Sequence, residues 1–68
     1  MIQKFKDCEI HYGQKENEEY YIQVFSKNWL GRGHKIVSRF YENYVTYYSD
    51  LIYYKQRANL NLINNEEN

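Results

Sequence analysis

Residues 35–63 constrain the fold more than any other part of this chain, because the segment contains neither glycine nor proline. Polar residues recur in it at steps of three and four, and apolar residues lie between them at the same steps, which is the period of one helix face. The pattern predicts one long amphipathic helix that begins at about Lys35 and is roughly 43 Å long at about 1.5 Å per residue. In the alternative, residues 36–41 form a third strand and the helix begins near Glu42.

The segments before this run have the period of strands. Apolar and polar residues alternate over residues 2–12 and again over residues 19–26, and many of them are β-branched or aromatic. A three-residue loop at residues 15–17, with Asn17 in the left-handed conformation, is a common hairpin type. This loop puts the apolar residues of both strands on one face, in the pairs Tyr12 with Tyr20, Ile10 with Ile22, and Cys8 with Val24. The predicted fold is therefore α+β, an antiparallel β-hairpin packed on one long C-terminal amphipathic helix (ββα), with a third strand as the alternative.

The length of 68 residues fits one domain. We expect residues 1–63 to form it and residues 64–68 to be a flexible polar tail. A chain this small buries only about 60% of its unfolded surface, and Cys8, the single cysteine, cannot form an internal disulfide. Binding to a partner is the remaining common source of stability. A lone cysteine also suits a reducing compartment, so we expect a cytoplasmic location, in the host cytoplasm if the chain is phage-encoded, and no membrane span.

The predicted helix has a wider apolar face than a short hairpin can cover, which predicts a protein interface on the excess surface. Tyrosine suits such an interface because it offers a large contact area and a hydroxyl group at a low entropic cost. The expected interface residues are Trp29, Tyr41, Tyr44, Tyr47, Tyr48, Leu51 and Tyr54. The partner is a second copy of the chain, a larger host protein, or both.

The segment Lys-Asn-Trp-Leu-Gly-Arg-Gly-His-Lys at residues 27–35 is a second candidate site. Its glycines allow close approach of a ligand, a helix start offers N–H groups to an anion, and Trp29 can stack on a base. The residues expected to contact an anion or a nucleic acid are Lys27, Arg32, His34, Lys35 and Arg39. In the alternative, Trp29 caps the core and the glycines only reverse the chain. The net charge of zero counts against a nucleic-acid domain.

The sequence contains no nucleophile with a matched base, no metal-ligand spacing and no cofactor motif. We therefore expect a non-enzymatic protein without cofactor or metal, which binds a protein and acts by steric occlusion, as a homodimer. The composition is rich in Tyr, Asn, Lys and Ile and poor in Gly, Ala and Pro, as in AT-rich genomes. This bias favours an inhibitor encoded by a phage or mobile element (anti-CRISPR-like). The alternative is a small nucleic-acid-binding regulator that uses the basic Trp/Gly/Arg loop and the helix start.

Overall fold

The computed structural model describes residues 1–27, 33–60 and 62–63, with the backbone alone at residues 27, 33 and 34. These residues form four strands followed by one helix: β1 (Ile2–Lys4), β2 (Cys8–Gln14), β3 (Tyr20–Lys27), β4 (Gly33–Tyr41) and α1 (Tyr44–Asn59). The strands make one antiparallel sheet in which each strand pairs with its neighbours in the chain. The α+β class is therefore confirmed, with a four-stranded sheet in place of the hairpin.

The hairpin of β2 and β3 forms with its apolar residues on one face, but its register differs by two residues from the prediction. Ile10 lies opposite Val24, and Tyr12 lies opposite Ile22. The loop has three residues, as expected, yet it lies one position later in the chain, because the Lys15 N–H bonds the Glu19 carbonyl at 2.7 Å. Glu18 rather than Asn17 has the left-handed backbone, with φ 69°. When the loop moves by one residue, each residue of β2 pairs with a residue of β3 two positions later. Because side chains alternate with a period of two, every residue stays on the same face of the sheet.

The asparagine explains where the loop lies. The Asn17 side-chain oxygen accepts a hydrogen bond from the Glu19 backbone N–H at 3.2 Å, two residues ahead. Such a bond lets an asparagine stabilise a turn without itself adopting the left-handed conformation. Upstream, the prediction of one strand over residues 2–12 is wrong. The Phe5 N–H bonds the Cys8 carbonyl at 2.8 Å, and this turn folds β1 back onto β2.

The prediction of a helix beginning at Lys35 is also wrong, and the alternative with a third strand in this segment is confirmed. Residues 33–41 pair with β3, whose edge offers backbone groups that a strand can satisfy. The helix begins at Tyr44, where the Asn43 side-chain oxygen accepts hydrogen bonds from the N–H groups of Val45 (2.8 Å) and Thr46 (3.2 Å). This asparagine is the preferred kind of N-cap. The 16-residue helix is about 24 Å long, much shorter than predicted.

The helix lies across β2, β3 and β4 on one face of the sheet. The side chains that fill the layer between helix and sheet are nearly inaccessible to solvent, and each valine, leucine or isoleucine among them contributes about 1.5–3 kcal/mol of apolar burial. They are Cys8, Ile10, Ile22, Val24, Tyr47, Leu51, Tyr54, Ala58 and Ile63.

The opposite face of the sheet, called the outer face below, points away from the helix because successive strand residues alternate between faces. The pairing register places Lys4, Glu9, His11, Tyr21, Gln23, Phe25, Lys35, Ser38 and Phe40 on it. Within the described residues, no helix is long and apolar enough to cross a membrane.

Candidate functional site

The predicted interface residues fall into two groups in the structure. Tyr47, Leu51 and Tyr54 are buried between helix and sheet, with Tyr47 only 6% exposed. They pack in the core because a four-stranded sheet covers more of a helix than a hairpin does, and the helix is shorter than predicted; a role for them in an interface stays a prediction. Tyr44 and Tyr48 remain on the surface, 53% and 49% exposed. Tyr41 is half-buried, and Trp29 lies outside the described residues.

Four exposed apolar residues form one continuous ridge on the helix, here called the helix stripe. It consists of Tyr44, Val45, Tyr48 and Ile52. Residues four apart lie above one another on a helix, so Tyr44, Tyr48 and Ile52 follow one line. The rings of Tyr44 and Tyr48 stack with their centroids 5.8 Å apart and their planes within 14°. The stripe therefore presents a preformed apolar surface, two turns of helix long.

A cluster of tyrosine rings connects the N-terminal end of the stripe, at Tyr44, to the core. Tyr20 of β3 stacks on the buried Tyr47 with a centroid distance of 4.7 Å. Tyr44 contacts both rings, Tyr20 edge-on at 5.5 Å and Tyr47 at 5.8 Å. Aromatic pairs of this kind add about 0.5–1.5 kcal/mol beyond their burial. Because Tyr44 is already held in place before binding, little of its side-chain entropy would be lost when a partner binds.

The helix stripe is uncharged. Asp50 is the only charged residue among residues 44–54, and its carboxylate accepts a hydrogen bond from the Tyr41 hydroxyl at 2.7 Å, on the side of the helix that faces β4. Burial raises the pKa of Tyr41, and the hydrogen bond to Asp50 raises it further, so the phenol stays a neutral donor. Burial, followed by the nearby tyrosines, likewise raises the pKa of Tyr47. A surface of this kind is suited to an uncharged apolar partner rather than to a polyanion.

The described residues do not assemble the predicted anion site. Lys35 and Arg39 both lie on β4, but on opposite faces, because the register shifts between Val24 and Phe25 and the pairing skips Ile36. Lys35 pairs with Phe25 on the outer face, whereas the Arg39 Nε donates to the Tyr54 hydroxyl at 3.1 Å on the helix side. Lys35 lies inside a strand, so the helix start that was expected to offer N–H groups there does not exist. Arg32 lies outside the described residues, as do the side chains of Lys27 and His34.

The carboxylates near the hairpin loop line an open depression of about 360 Å³, formed by Glu18, Glu19, Glu42 and Asn17. No group of three or more His, Cys, Asp or Glu residues in the described part of the chain is placed to hold a metal ion. Cys8 is buried in the core.

Sequence reasoning missed Val45 and Ile52 in the stripe. Their outward positions follow from a helix that begins at Tyr44, and the capping side chain of Asn43 is the sequence signal that could have placed them. Comparisons with known proteins add no family: no protein-family model, no curated protein and no solved structure matches this chain.

Proposed function

We propose that this chain is a small non-enzymatic protein that acts by binding another protein through the helix stripe. The observation that carries the proposal is an uncharged ridge of four large apolar side chains that stay exposed on a helix whose other side is already packed. Exposure of apolar side chains to water is energetically unfavourable, and contiguous exposed apolar surface is typical of protein interaction sites. Tyrosine at the centre of such a surface is a frequent source of binding energy.

The spacing of the stripe favours a helical partner. Ridges formed by residues four apart pack into the grooves of a second helix, the commonest geometry between helices in globular proteins. A second copy of this chain offers such a helix, and two stripes can meet about a two-fold axis. The proposed partner is therefore a second copy of the chain, which gives a homodimer. A larger host protein that binds the same stripe is the other proposed partner. The expectation of a phage or mobile-element inhibitor rests on composition alone and stays a prediction.

The test compares two tyrosines that have nearly equal exposure but lie on different sides of the same helix. Tyr48 is 49% exposed and lies in the stripe, whereas Tyr53 is 47% exposed and lies about 140° around the helix, at about 100° per residue. We expect Tyr48→Ala to weaken self-association about tenfold or more, as an interface anchor does, and Tyr53→Ala to change it little. Light scattering over a range of protein concentrations measures the average molecular mass, from which the dissociation constant of the dimer follows.

A heterologous partner is tested with the same variants as bait. Quantitative mass spectrometry of host lysate passed over immobilised wild-type, Tyr48→Ala and Tyr53→Ala protein would identify a protein that only Tyr48→Ala fails to retain. The proposal is refuted if the wild type is monomeric at every concentration and all three baits retain the same proteins. Equal losses for both variants would also count against it, because the stripe would then not be the site.

A further inference from the structure

The outer face of the sheet is a second surface with a different chemistry. The strand register arranges its side chains in three rows across the sheet. The first row reads Gly13, Tyr21, Phe40; the second reads Ile2, His11, Gln23, Ser38; and the third reads Lys4, Glu9, Phe25, Lys35. Successive rows are about 7 Å apart, since residues on one face are two positions apart in a strand. Tyrosine and phenylalanine rings thus occur in the first and third rows, with the polar side chains of the second row between them.

The rings lie against the sheet and against one another. Tyr21 lies beside its cross-strand neighbour Gly13, where a Cβ atom would be 3.5 Å from the Tyr21 ring, an ordinary van der Waals distance. Phe40, directly opposite Tyr21 on β4, is 50% exposed. The rings of His11 and Phe25 meet with centroids 4.5 Å apart. Tyr21, Gln23, Phe40, His11 and Lys15 line a shallow depression of about 350 Å³ at the centre of this face.

Lysine side chains lie beside these rings. Lys4, Lys15 and Lys35 are exposed, and Lys15 lies with its Nζ 4.6 Å from the centre of the Phe40 ring. Two carboxylates at this face already have partners: Glu9 lies 3.1 Å from His11, and Glu19 lies 3.7 Å from Lys15. In the third row two lysines stand against one glutamate, so positive charge is in excess at the end of the face farthest from the hairpin loop, where the other carboxylates lie.

We propose that the outer face binds single-stranded nucleic acid. Aromatic rings displayed by a sheet stack on unpaired bases, and here Tyr21, Phe25 and Phe40 offer such platforms. The Gln23 amide between them can both donate to and accept from the edge of a base. The lysines at the sides of the sheet contact phosphates. The site uses neither the Trp/Gly/Arg loop nor the helix stripe, so it is independent of the protein-binding proposal.

Charge and polarity favour this occupant over a second copy of the chain. Two outer faces packed together would bring their lysines against each other, and like charges across an interface disfavour association. His11, Gln23 and Ser38 also interrupt the apolar surface between the aromatic rows, whereas a protein interface is most apolar and least charged at its centre. Neither feature disfavours a polyanion with flat polar bases.

The test is fluorescence anisotropy of labelled single-stranded DNA and RNA oligonucleotides with the full chain. We expect saturable binding up to roughly 100 μM protein at low salt, weaker binding to the matched duplex, and a log–log salt slope near −2, about −0.7 for each of three neutralised phosphates. Lys35→Gln should reduce the magnitude of that slope by about 0.7. Phe40→Leu should weaken binding about 5-fold to 150-fold, whereas Phe40→Trp should retain it, since only the latter keeps a stacking face.

Tyr53→Leu, at similar exposure on the helix, is the matched control and should bind like the wild type. Circular dichroism and thermal unfolding confirm that each variant is folded. Absence of binding by the wild type at low salt refutes the proposal. Binding that Phe40→Leu and Lys35→Gln leave unchanged also refutes it, because the oligonucleotide would then lie elsewhere. If Phe40→Leu instead lowers the molecular mass in light scattering, the outer face is a protein interface and the proposal is wrong.

Discussion

The sharpest test of the structure is a comparison of two consecutive tyrosines. Tyr47 is 6% exposed, stacks on Tyr20 at 4.7 Å and contacts Tyr44, whereas Tyr48 points outward. Replacing a buried aromatic residue by alanine costs about 3–5 kcal/mol. A chain of 68 residues has a total stability of only about 3–10 kcal/mol. We therefore expect Tyr47→Ala to remove about a third or more of the free energy of unfolding.

Tyr48→Ala should have a much smaller effect on the same quantity. About half of its surface already contacts water, and the loss of its ring contact with Tyr44, worth about 0.5–1.5 kcal/mol, is partly offset by the better helix propensity of alanine, worth up to about 0.5 kcal/mol. We expect its free energy of unfolding to fall by about 1 kcal/mol.

Urea unfolding followed by circular dichroism measures both free energies by linear extrapolation. Low protein concentration is required, because self-association would add to the apparent stability of the wild type. Tyr47→Phe keeps the ring and should remain folded, which separates loss of packing from any defect in expression. If Tyr48→Ala is the more destabilised variant, the helix is rotated by about one residue from the orientation described. If both variants match the wild type, the helix does not pack on the sheet.

Three further predictions concern single positions. Asn43→Ala removes the oxygen that caps the first helical N–H groups and should cost about 1 kcal/mol, measured as a fall in melting temperature of about 4–8 °C; an unchanged melting temperature would exclude a helix start at Tyr44. Gly13→Ala places a side chain at φ 153°, a backbone conformation that favours glycine, and should destabilise by about 1 kcal/mol or more in urea unfolding; equal or greater stability would contradict this backbone. Because folding raises the pKa of Tyr41 above its ordinary value of 10, the neutral phenol stabilises the fold fully below about pH 10, and this contribution is lost as the pH rises further, by up to about 1.4 kcal/mol per pH unit. Unfolding free energies measured against pH should fall less steeply for Tyr41→Phe, and parallel curves would refute the assignment.

Much of the sheet could be predicted from the sequence, because alternation is a local signal. The apolar positions of β2 and β3 alternate over eight residues, and a one-residue error in the loop left Ile10, Ile22 and Val24 on the correct face. The turn at residues 5–7 could not be found in this way. The alternation of residues 2–12 continues through it, and the break depends on backbone hydrogen bonds between β1 and β2.

The error in the helix start has a different origin. Val37 and Tyr41 are four residues apart and fit one side of a helix, yet they also lie on one face of a strand, because four is a multiple of two. Local pattern cannot decide between these periods. The decision comes from β3, which pairs with β4 on both sides of a register shift at Ile36, and from Asn43, whose side chain caps a helix only if the helix begins after it.

The predicted interface depended on the predicted helix start at Lys35. An interface was expected because a long helix exceeded a small hairpin, and β4 removes most of that excess by widening the sheet. Most of the exposed apolar residues that remain lie on two separate surfaces, one on each layer of a two-layer fold. The helix stripe lies on the helix, away from the sheet, and the outer face lies on the sheet, away from the helix. One flat partner therefore cannot cover both. Tyr48→Ala and Phe40→Leu should each reduce a different kind of binding, and a folded variant that weakened both equally would require a single partner that wraps around the edge of the sheet.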